Sequence, residues 1–388
     1  MSAVAVKGWC PGVWQPMRSG DGLVVRIRPR AGRIDAGQAA GIADLAERYG
    51  NGLIDLTNRA NLQIRGVSED NHPSLIDGLA ALRLLDSDPD TEARRNILVA
   101  PFWSAGDETI SIAEELERAL AKGPADLPAK FGFAVDCGKQ RVLAGASADV
   151  RIERDGDGQL MVRADGAECG HHVARNATVA TAIALAEWFV VSGGSKTGRM
   201  AGYLAAGAKL PESLCGAALP ARQQAVPDPG ITGRGALFGI AFGQITHTAL
   251  RWLAEQARGL RLTPWRMMLA EGLRDMPSRE GFVARADDPL LRVVACSGAP
   301  RCHEAHAETR ALAAALAPHL PAHLRLHVSG CAKGCAQSTP ASVTLVATSD
   351  GFDVIRNGST RDTPAVRGLS RANILANPLL LSGGADAA

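Results

Sequence analysis

The sequence predicts an α+β fold built by internal duplication, with two small strand–helix–strand halves, each followed by a larger α/β segment. Three observations carry this. Strand-like and helix-like periods alternate along the chain, and a stretch near residue 55 recurs near residue 261. The composition, 46% hydrophobic and 21% charged over 388 residues, is that of a globular protein and excludes a disordered or collagenous one.

Leu23–Arg28 alternates after Val24 as a half-buried strand does. Asp35 with Gln38 forms a capping box that opens a helix running to about Tyr49. Gly50-Asn51-Gly52 breaks that helix, and Leu53–Thr57 is the next strand. Asp55–Gly66 then aligns without gaps on Arg261–Gly272, with Leu, Thr and the closing Gly shared, and each copy follows a strand and a helix (Leu23–Tyr49 and Ala236–Arg258). Beyond each copy a strand is expected after a loop, Phe131–Val135 and Leu291–Ala295, and later a strand pair around a polar turn, Asp155–Gly158 and Ser349–Gly351. Pro- and Gly-rich linkers near Pro211–Gly235 and Asp287-Asp288-Pro289 complete an order of four units, expected at 1–92, 93–218, 219–284 and 285–388.

Charge balance narrows the partners. Lys plus Arg at 42 against Asp plus Glu at 40 leaves +2, so no overall field recruits nucleic acid or a membrane surface. Aromatics at 4% do not furnish base-stacking platforms. The longest apolar run, Val179–Val191, contains Glu187 and falls short of the ~20 residues of a spanning helix, so it is expected to be a buried helix. Met1–Gly8 lacks a charged start followed by an apolar region, and the expectation is a soluble, cytoplasmic protein.

Of eight cysteines, Cys10, Cys137, Cys169 and Cys215 are scattered. The other four form two tight pairs, Cys296-x5-Cys302 and Cys331-x3-Cys335, separated by 28 residues. Each pair follows an apparent strand in a Gly-bearing loop, with a helix expected around His306–Leu316 between them. Four thiolates suit a cubane iron–sulfur cluster, one per iron. Buried free thiols, a structural zinc and a disulfide are the alternatives; the spacing is wider than zinc knuckles favour, and disulfides are rare in cytoplasmic chains.

This cysteine pattern resembles the cluster motif of siroheme-dependent sulfite and nitrite reductases. Leu56–Gly66 and Arg94-Arg95-Asn96-Ile97 are similar to that family's anion-binding signatures, and the four-unit order to its two ferredoxin-like halves and two larger α/β segments. Trp9-Cys10-Pro11-Gly12, Pro16-Met17, Gly20–Arg26 and Gly50-Asn51-Gly52 look like the precorrin-3B synthase branch. That resemblance implies an oxygen-dependent monooxygenase of aerobic cobalamin biosynthesis. It would hydroxylate a meso carbon of precorrin-3A and close a lactone from an acetate arm, with dioxygen and an external, NADH-linked electron donor. It also implies a [4Fe–4S] cluster on Cys296, Cys302, Cys331 and Cys335, a mononuclear non-haem iron, and no siroheme. A siroheme-dependent sulfite or nitrite reductase is the alternative enzyme, and a tetrapyrrole carrier with a structural cluster the non-enzymatic one.

A tetrapyrrole with acetate and propionate arms needs convergent cations. Arg59, Asn61, Gln63 and Arg65 alternate, so on one strand they share a face suited to bidentate carboxylate binding, the plain alternative being a solvated strand face. Arg95, Asn96 and Lys130 are further candidates by resemblance, and Lys333 could offer a charge from the second cysteine loop. Gly132 stands where the reductases carry a second lysine, which argues against oxyanion reduction. The second copy has Trp265, Met267, Leu269 and Glu271 at the equivalent positions, so the first copy is the expected carboxylate binder. His171, His172, His303, His306 and His327 offer nitrogen ligands, and none is assigned to the iron; no catalytic residue is singled out. Ser192–Gly198 lacks the glycine a phosphate loop needs before its lysine, Asp155–Gly158 is a turn, and no G-x-G-x-x-G follows a strand, which places any nicotinamide elsewhere or on a partner.

Overall fold

The computed structural model describes residues 10–378. Met1–Gly8 and Trp9, read above from the sequence, lie outside the described residues. Four mixed layers follow one another, and the first and third interlock.

The first unit contains β1 (Met17–Ser19), β2 (Gly22–Ile27), β3 (Arg33–Asp35), α1 (Ala36–Tyr49), β4 (Leu53–Leu56), β5 (Leu62–Val67) and α2 (His72–Ala81). α1 begins as its sequence dictates: Asp35 accepts from the Gln38 amide at 2.8 Å while the Gln38 side chain accepts from the Asp35 amide at 3.1 Å. Its buried stripe, Ala39, Ile42, Ala43 and Ala46, has the helical spacing that turns one face inward.

Next come α3 (Pro89–Arg94), β6 (Ile97–Val99), α4 (Glu108–Leu120), β7 (Phe133–Asp136), β8 (Val150–Arg154), β9 (Leu160–Ala164), β10 (His171–His172), α5 (Thr178–Val191) and α6 (Met200–Ala205). α5 is the apolar run, and it packs Ala182, Leu185, Ala186 and Phe189 on the sheet. The third unit holds β11 (Gly230–Thr232), β12 (Gly235–Ile240), β13 (Gln244–Thr246), α7 (His247–Gln256), β14 (Gly259–Leu262), β15 (Met267–Glu271) and β16 (Phe282–Val283). The fourth holds β17 (Val293–Ala295), α8 (Arg310–Leu316), β18 (Leu326–Ser329), β19 (Ala341–Thr348), β20 (Gly351–Gly358), β21 (Val366–Leu369) and α9 (Arg371–Ala376).

Two of the sheets repeat one topology: β6, β7 and β8 are parallel with β9 antiparallel, as β17, β18 and β19 are parallel with β20 antiparallel. The other two are ordered β1-β2-β5-β4-β13 and β11-β12-β15-β14-β3. Each ferredoxin-like sheet therefore takes its last strand from the other half, β13 pairing with β4 and β3 with β14. Ile27, Ile42 and Ile64 consequently share one core with Phe238, Leu250 and Leu260.

The duplication is written into the backbone as well. Ala60 and Arg266, at equivalent positions, both take positive φ (53° and 59°), as do Ala31 and Phe242 (51° and 55°). These are uncommon angles for residues with a Cβ, and they recur because the same turn recurs. Thr57 builds that turn by accepting from the Arg59 and Asn61 amides, and Thr263 does the same for Trp265 and Met267.

Two sequence expectations shift. β5 begins at Leu62, so Arg59 and Asn61 sit in the turn; the four-residue strand face reduces to Gln63 and Arg65. The helix expected from His306 begins at Arg310, because the preceding residues bond outward: the His306 amide donates to Gly330 O at 2.8 Å and Thr309 Oγ1 to Cys296 O at 2.7 Å. No helix among the described residues is long and apolar enough to cross a membrane.

Candidate functional site

β17 and β18 run parallel and in register, Ala295 beside Val328, so their carboxyl ends deliver Cys296 and the Gly330-Cys331 step to one sheet edge. The Gly330 amide donates to Cys296 Sγ at 3.2 Å. Glycines shape both loops. At Gly298 (φ +63°) and Gly334 (φ +62°) a Cβ would come within 2.7 Å of Thr309 Oγ1 and Thr360 Oγ1 respectively. Burial pushes the Cys331 and Cys335 thiols up, and the charges of Cys302 and Cys296 push both further, so the four sulfurs lie within electrostatic reach of one another. Cys137 is different: it is buried in the second unit, donates to Ile152 O at 3.6 Å, and is pushed up to about 12 by burial. Among the described residues, no three His, Cys, Asp or Glu side chains form a ready site for a single metal ion.

A cavity of about 280 Å³ opens against Cys296 and Cys335. One wall is a row across three neighbouring strands, Arg26 on β2 facing Gln63 on β5, which faces Asp55 on β4. The other wall brings Arg266 from the second ferredoxin-like half and Arg310 from the start of α8. Arg266 Nη2 donates to the carbonyl oxygen of Ala336, the residue after Cys335, at 3.0 Å. Arg310 reaches Asp55 Oδ1 at 3.4 Å. Burial holds both guanidinium groups below the ordinary arginine value, and the charge of Arg310 lowers Arg266 further. Arg26 is lowered by burial too, and its Nε is buried without a hydrogen-bond partner. With Arg65, four arginines line a cavity whose one carboxylate among the described residues is Asp55. Buried positive charge in that excess suits a ligand with several carboxylates.

Of the residues read from sequence, Gln63, Arg65, Cys296 and Cys335 meet at this cavity. Arg65 arrives already engaged: its Nε and Nη2 donate to Asp21 at 2.9 and 2.8 Å, and its Nη1 to Asp55 at 3.1 Å. Burial acts to lower its pKa, but Asp55 and Asp21 outweigh burial and hold it above the usual value. Asn61, Arg59, Arg95, Asn96, Lys130 and Lys333 do not line the cavity. Arg59 donates to Lys130 O at 3.0 Å, Arg95 is forked on Asp86 with both contacts at 2.8 Å, and Asn96 donates to Phe131 O at 2.8 Å. Lys333 pairs with Glu304 at 3.1 Å beside the cysteine loops.

Sequence reasoning missed Arg26, Arg266 and Arg310. Arg266 did carry a signal, since it replaces Ala60 at the strained position of the repeated turn. Among the histidines, His171 bonds Cys215 O at 2.9 Å and His172 bonds Asp155 at 2.7 Å. His327 is fully buried with neither ring nitrogen partnered, and burial, with Arg266 nearby, pushes it down to about 4.

With that geometry in place, the chain can be set beside known proteins. Residues 15–82 match the nitrite/sulfite reductase ferredoxin-like half domain. The chain is 29% identical to a precorrin-3B synthase of Sinorhizobium sp., covering 92% of this chain and 84% of that one. A ferredoxin–nitrite reductase of Synechococcus elongatus is 28% identical over 146 residues, 35% of this chain and 28% of the reductase. The Mycobacterium tuberculosis NirA protein has the same fold, with a TM-score of 0.64 at 16% identity, over 94% of this chain and 82% of that one. The reductase-like α+β fold and the resemblance to precorrin-3B synthase read from the sequence are thereby borne out.

Proposed function

We propose that this chain is a precorrin-3B synthase, converting precorrin-3A to a hydroxylated lactone with dioxygen in aerobic cobalamin biosynthesis. The supporting observation is the cavity where Arg26, Arg65, Arg266 and Arg310 meet Cys296 and Cys335, in a chain similar along 92% of its length to such an enzyme. The substrate is a polycarboxylate, and an arginine-lined cavity beside a redox-capable thiol set is what its oxidation requires.

The residues fit a [4Fe–4S] cluster. The donors are four thiols, a peptide amide already points at one sulfur, and glycines keep the loops clear of side chains. Cys296, Cys302, Cys331 and Cys335 would hold it, and when bound it supplies single electrons. Arg26, Arg266 and Arg310 bind and orient acetate and propionate arms, and Gln63 offers an amide to whatever carbonyl faces β5. Three ready ligands for the implied mononuclear iron do not assemble among the described residues, and no step is assigned to it. The test is incubation with precorrin-3A and a reductant, aerobically and anaerobically, read by mass. A gain of one oxygen atom only in the aerobic sample supports the reading; no product in either overturns it.

A siroheme-dependent reductase is the second reading, favoured by the 146-residue similarity to ferredoxin–nitrite reductase. Nitrite- or sulfite-dependent electron uptake would select it.

A further inference from the structure

Arg266 is an unusual residue to find where it is. It holds a positive φ of 59° in a turn whose first-half counterpart is Ala60, and Gly243 makes room for it: a Cβ there would lie 3.1 Å from Arg266 Cδ and 2.8 Å from Leu56 O. Its guanidinium is buried, touches the Ala336 carbonyl beside Cys335, and feels the charge of Cys296. Arg310 is close enough to depress it, and Asp55, the carboxylate whose charge opposes that, is shared with Arg65 at 3.1 Å. Two buried cations thus line the ligand cavity side by side with the cysteine loops, and among the described lining residues Asp55 is the one acid that offsets them.

We propose that Arg266 and Arg310 couple ligand binding to the electron content of the cysteine-bound group. This rests on the cavity and cluster reading above. In a low-dielectric site, uncompensated guanidinium charges favour an added electron on the thiolate-bound group. A ligand carboxylate seated on the same guanidinium groups offsets that charge. Bound ligand therefore lowers the reduction potential, and by reciprocity reduction weakens ligand binding by the same factor. The ligand class this favours is a carboxylate that pairs with both arginines, and its arrival makes the reduced centre a stronger donor. Arg266 and Arg310 act on the electron transfer through charge, so they are positioning and tuning residues in this role.

The experiment is a redox titration followed by electron paramagnetic resonance on the cluster-loaded full chain, with and without uroporphyrin as a stable polycarboxylate probe. Uroporphyrin binding to the oxidised and dithionite-reduced protein is measured in parallel. Binding should be at least tenfold tighter to the oxidised form, with the potential falling by the matching ~59 mV for each factor of ten. Arg266→Gln should lower the ligand-free potential and remove most of the shift, and Arg266→Lys should restore the potential but little of the shift. Unchanged potential and shift in a fully loaded Arg266→Gln protein overturns the proposal and leaves Arg266 as a prop for Ala336. Should that variant fail to fold or load, Arg310→Gln is read by the same two criteria. Wild-type protein with a cluster but no uroporphyrin shift overturns the coupling alone, whereas wild-type protein that holds no cluster overturns the reading beneath it.

Discussion

Arg33, on the strand that the first half gives away, grips Glu271 of the second half, its Nη2 donating to Oε2 at 2.7 Å and its Nε to Oε1 at 3.1 Å. The same carboxylate accepts from Arg261 at 2.6 Å, and Arg33 and Arg261 are direct partners in the β3–β14 pairing. The exchanged strand is only three residues long, so its backbone bonds alone hold it weakly. The Arg33–Glu271–Arg261 cluster locks it.

Glu271→Gln should therefore destabilise the fold by about 2–4 kcal/mol, because it leaves two guanidinium groups around a neutral amide. Burial acts to raise the Glu271 pKa, but the hydrogen bonds from Arg33 and Arg261 hold it below its usual value. A depressed carboxylate contributes stability that is present above the ordinary carboxylate range and is lost as pH falls through the depressed value. Urea midpoints measured from pH 7 downward should converge for wild type and Glu271→Gln in acid. A constant difference at every pH would place the effect elsewhere.

The four paired cysteines carry the second prediction. Cys331→Ala with Cys335→Ala should abolish bound iron and sulfide, since each change removes one thiolate from one iron. Changing Cys137 together with Cys215 should leave both contents intact, because these thiols lie in the second unit and its linker. Iron and sulfide surviving the first double change would show that the thiols are merely buried neighbours.

Local signals were legible and convergent ones were not. The capping box of Asp35 and Gln38 is written within four residues, and α1 starts where it says. The recurrence of Thr57 as Thr263 was legible because a repeat compares the chain with itself, but the turn each threonine builds was not. The exchange of β3 and β13 left no trace, since a three-residue edge strand has no period to detect. Arg59 and Asn61 were placed on a strand because alternation cannot tell a strand from the turn that feeds it. Arg26, Arg266 and Arg310 come from three distant elements, and only tertiary packing brings them to Cys296 and Cys335.

Arg65 gives the third prediction. Its fork is filled by Asp21 and Asp55, with only 7% of its side chain exposed. Arg65→Ala would take the bidentate cation from half-buried Asp21 and one of two arginines from buried Asp55, leaving Asp21 with Asn51 and Asp55 with Gln244 and Arg310. A loss of about 3 kcal/mol is expected. Thermal melts should show a large fall in Tm, and ligand affinity in the folded fraction should change less than in Arg266→Gln. An unchanged Tm with lost affinity would return Arg65 to the ligand as a free carboxylate binder.

Asp136, at the end of β7, titrates in a testable window. Burial raises its pKa to about 6, despite amide donors from Leu143 and Val142. A raised folded-state value means stability fully present below the ordinary carboxylate range and lost as pH rises through about 6. The full effect is roughly 3 kcal/mol for a shift of about two units. Asp136→Asn keeps an acceptor for both amides and removes the titration. The variant should gain on wild type between pH 4 and 7, by chemical denaturation at each pH; parallel curves would show that Asp136 stays ionised throughout.

The last prediction concerns the ring proposed for the cavity among the arginines. Siroheme and precorrin-3A are both reduced, methylated macrocycles with anionic arms, so Arg26, Arg266 and Arg310 would suit either. Two features favour a transient substrate over a resident cofactor. Gly132 carries no side chain where the resemblance to the reductases implies a lysine, and a Cβ there would meet Asn96 Nδ2 at 2.8 Å, so Asn96 fills space next to that position. The full-length similarity, 92% of the chain, is to a precorrin-3B synthase, whereas the nitrite reductase match covers 35%. Protein made in a siroheme-competent host should therefore carry iron and sulfide but no stoichiometric siroheme after acid–acetone extraction. It should oxidise added precorrin-3A only when oxygen and a reductant are both present. One siroheme per chain, with sulfite- or nitrite-dependent electron uptake, would make the arginines cofactor ligands and remove the substrate from the cavity.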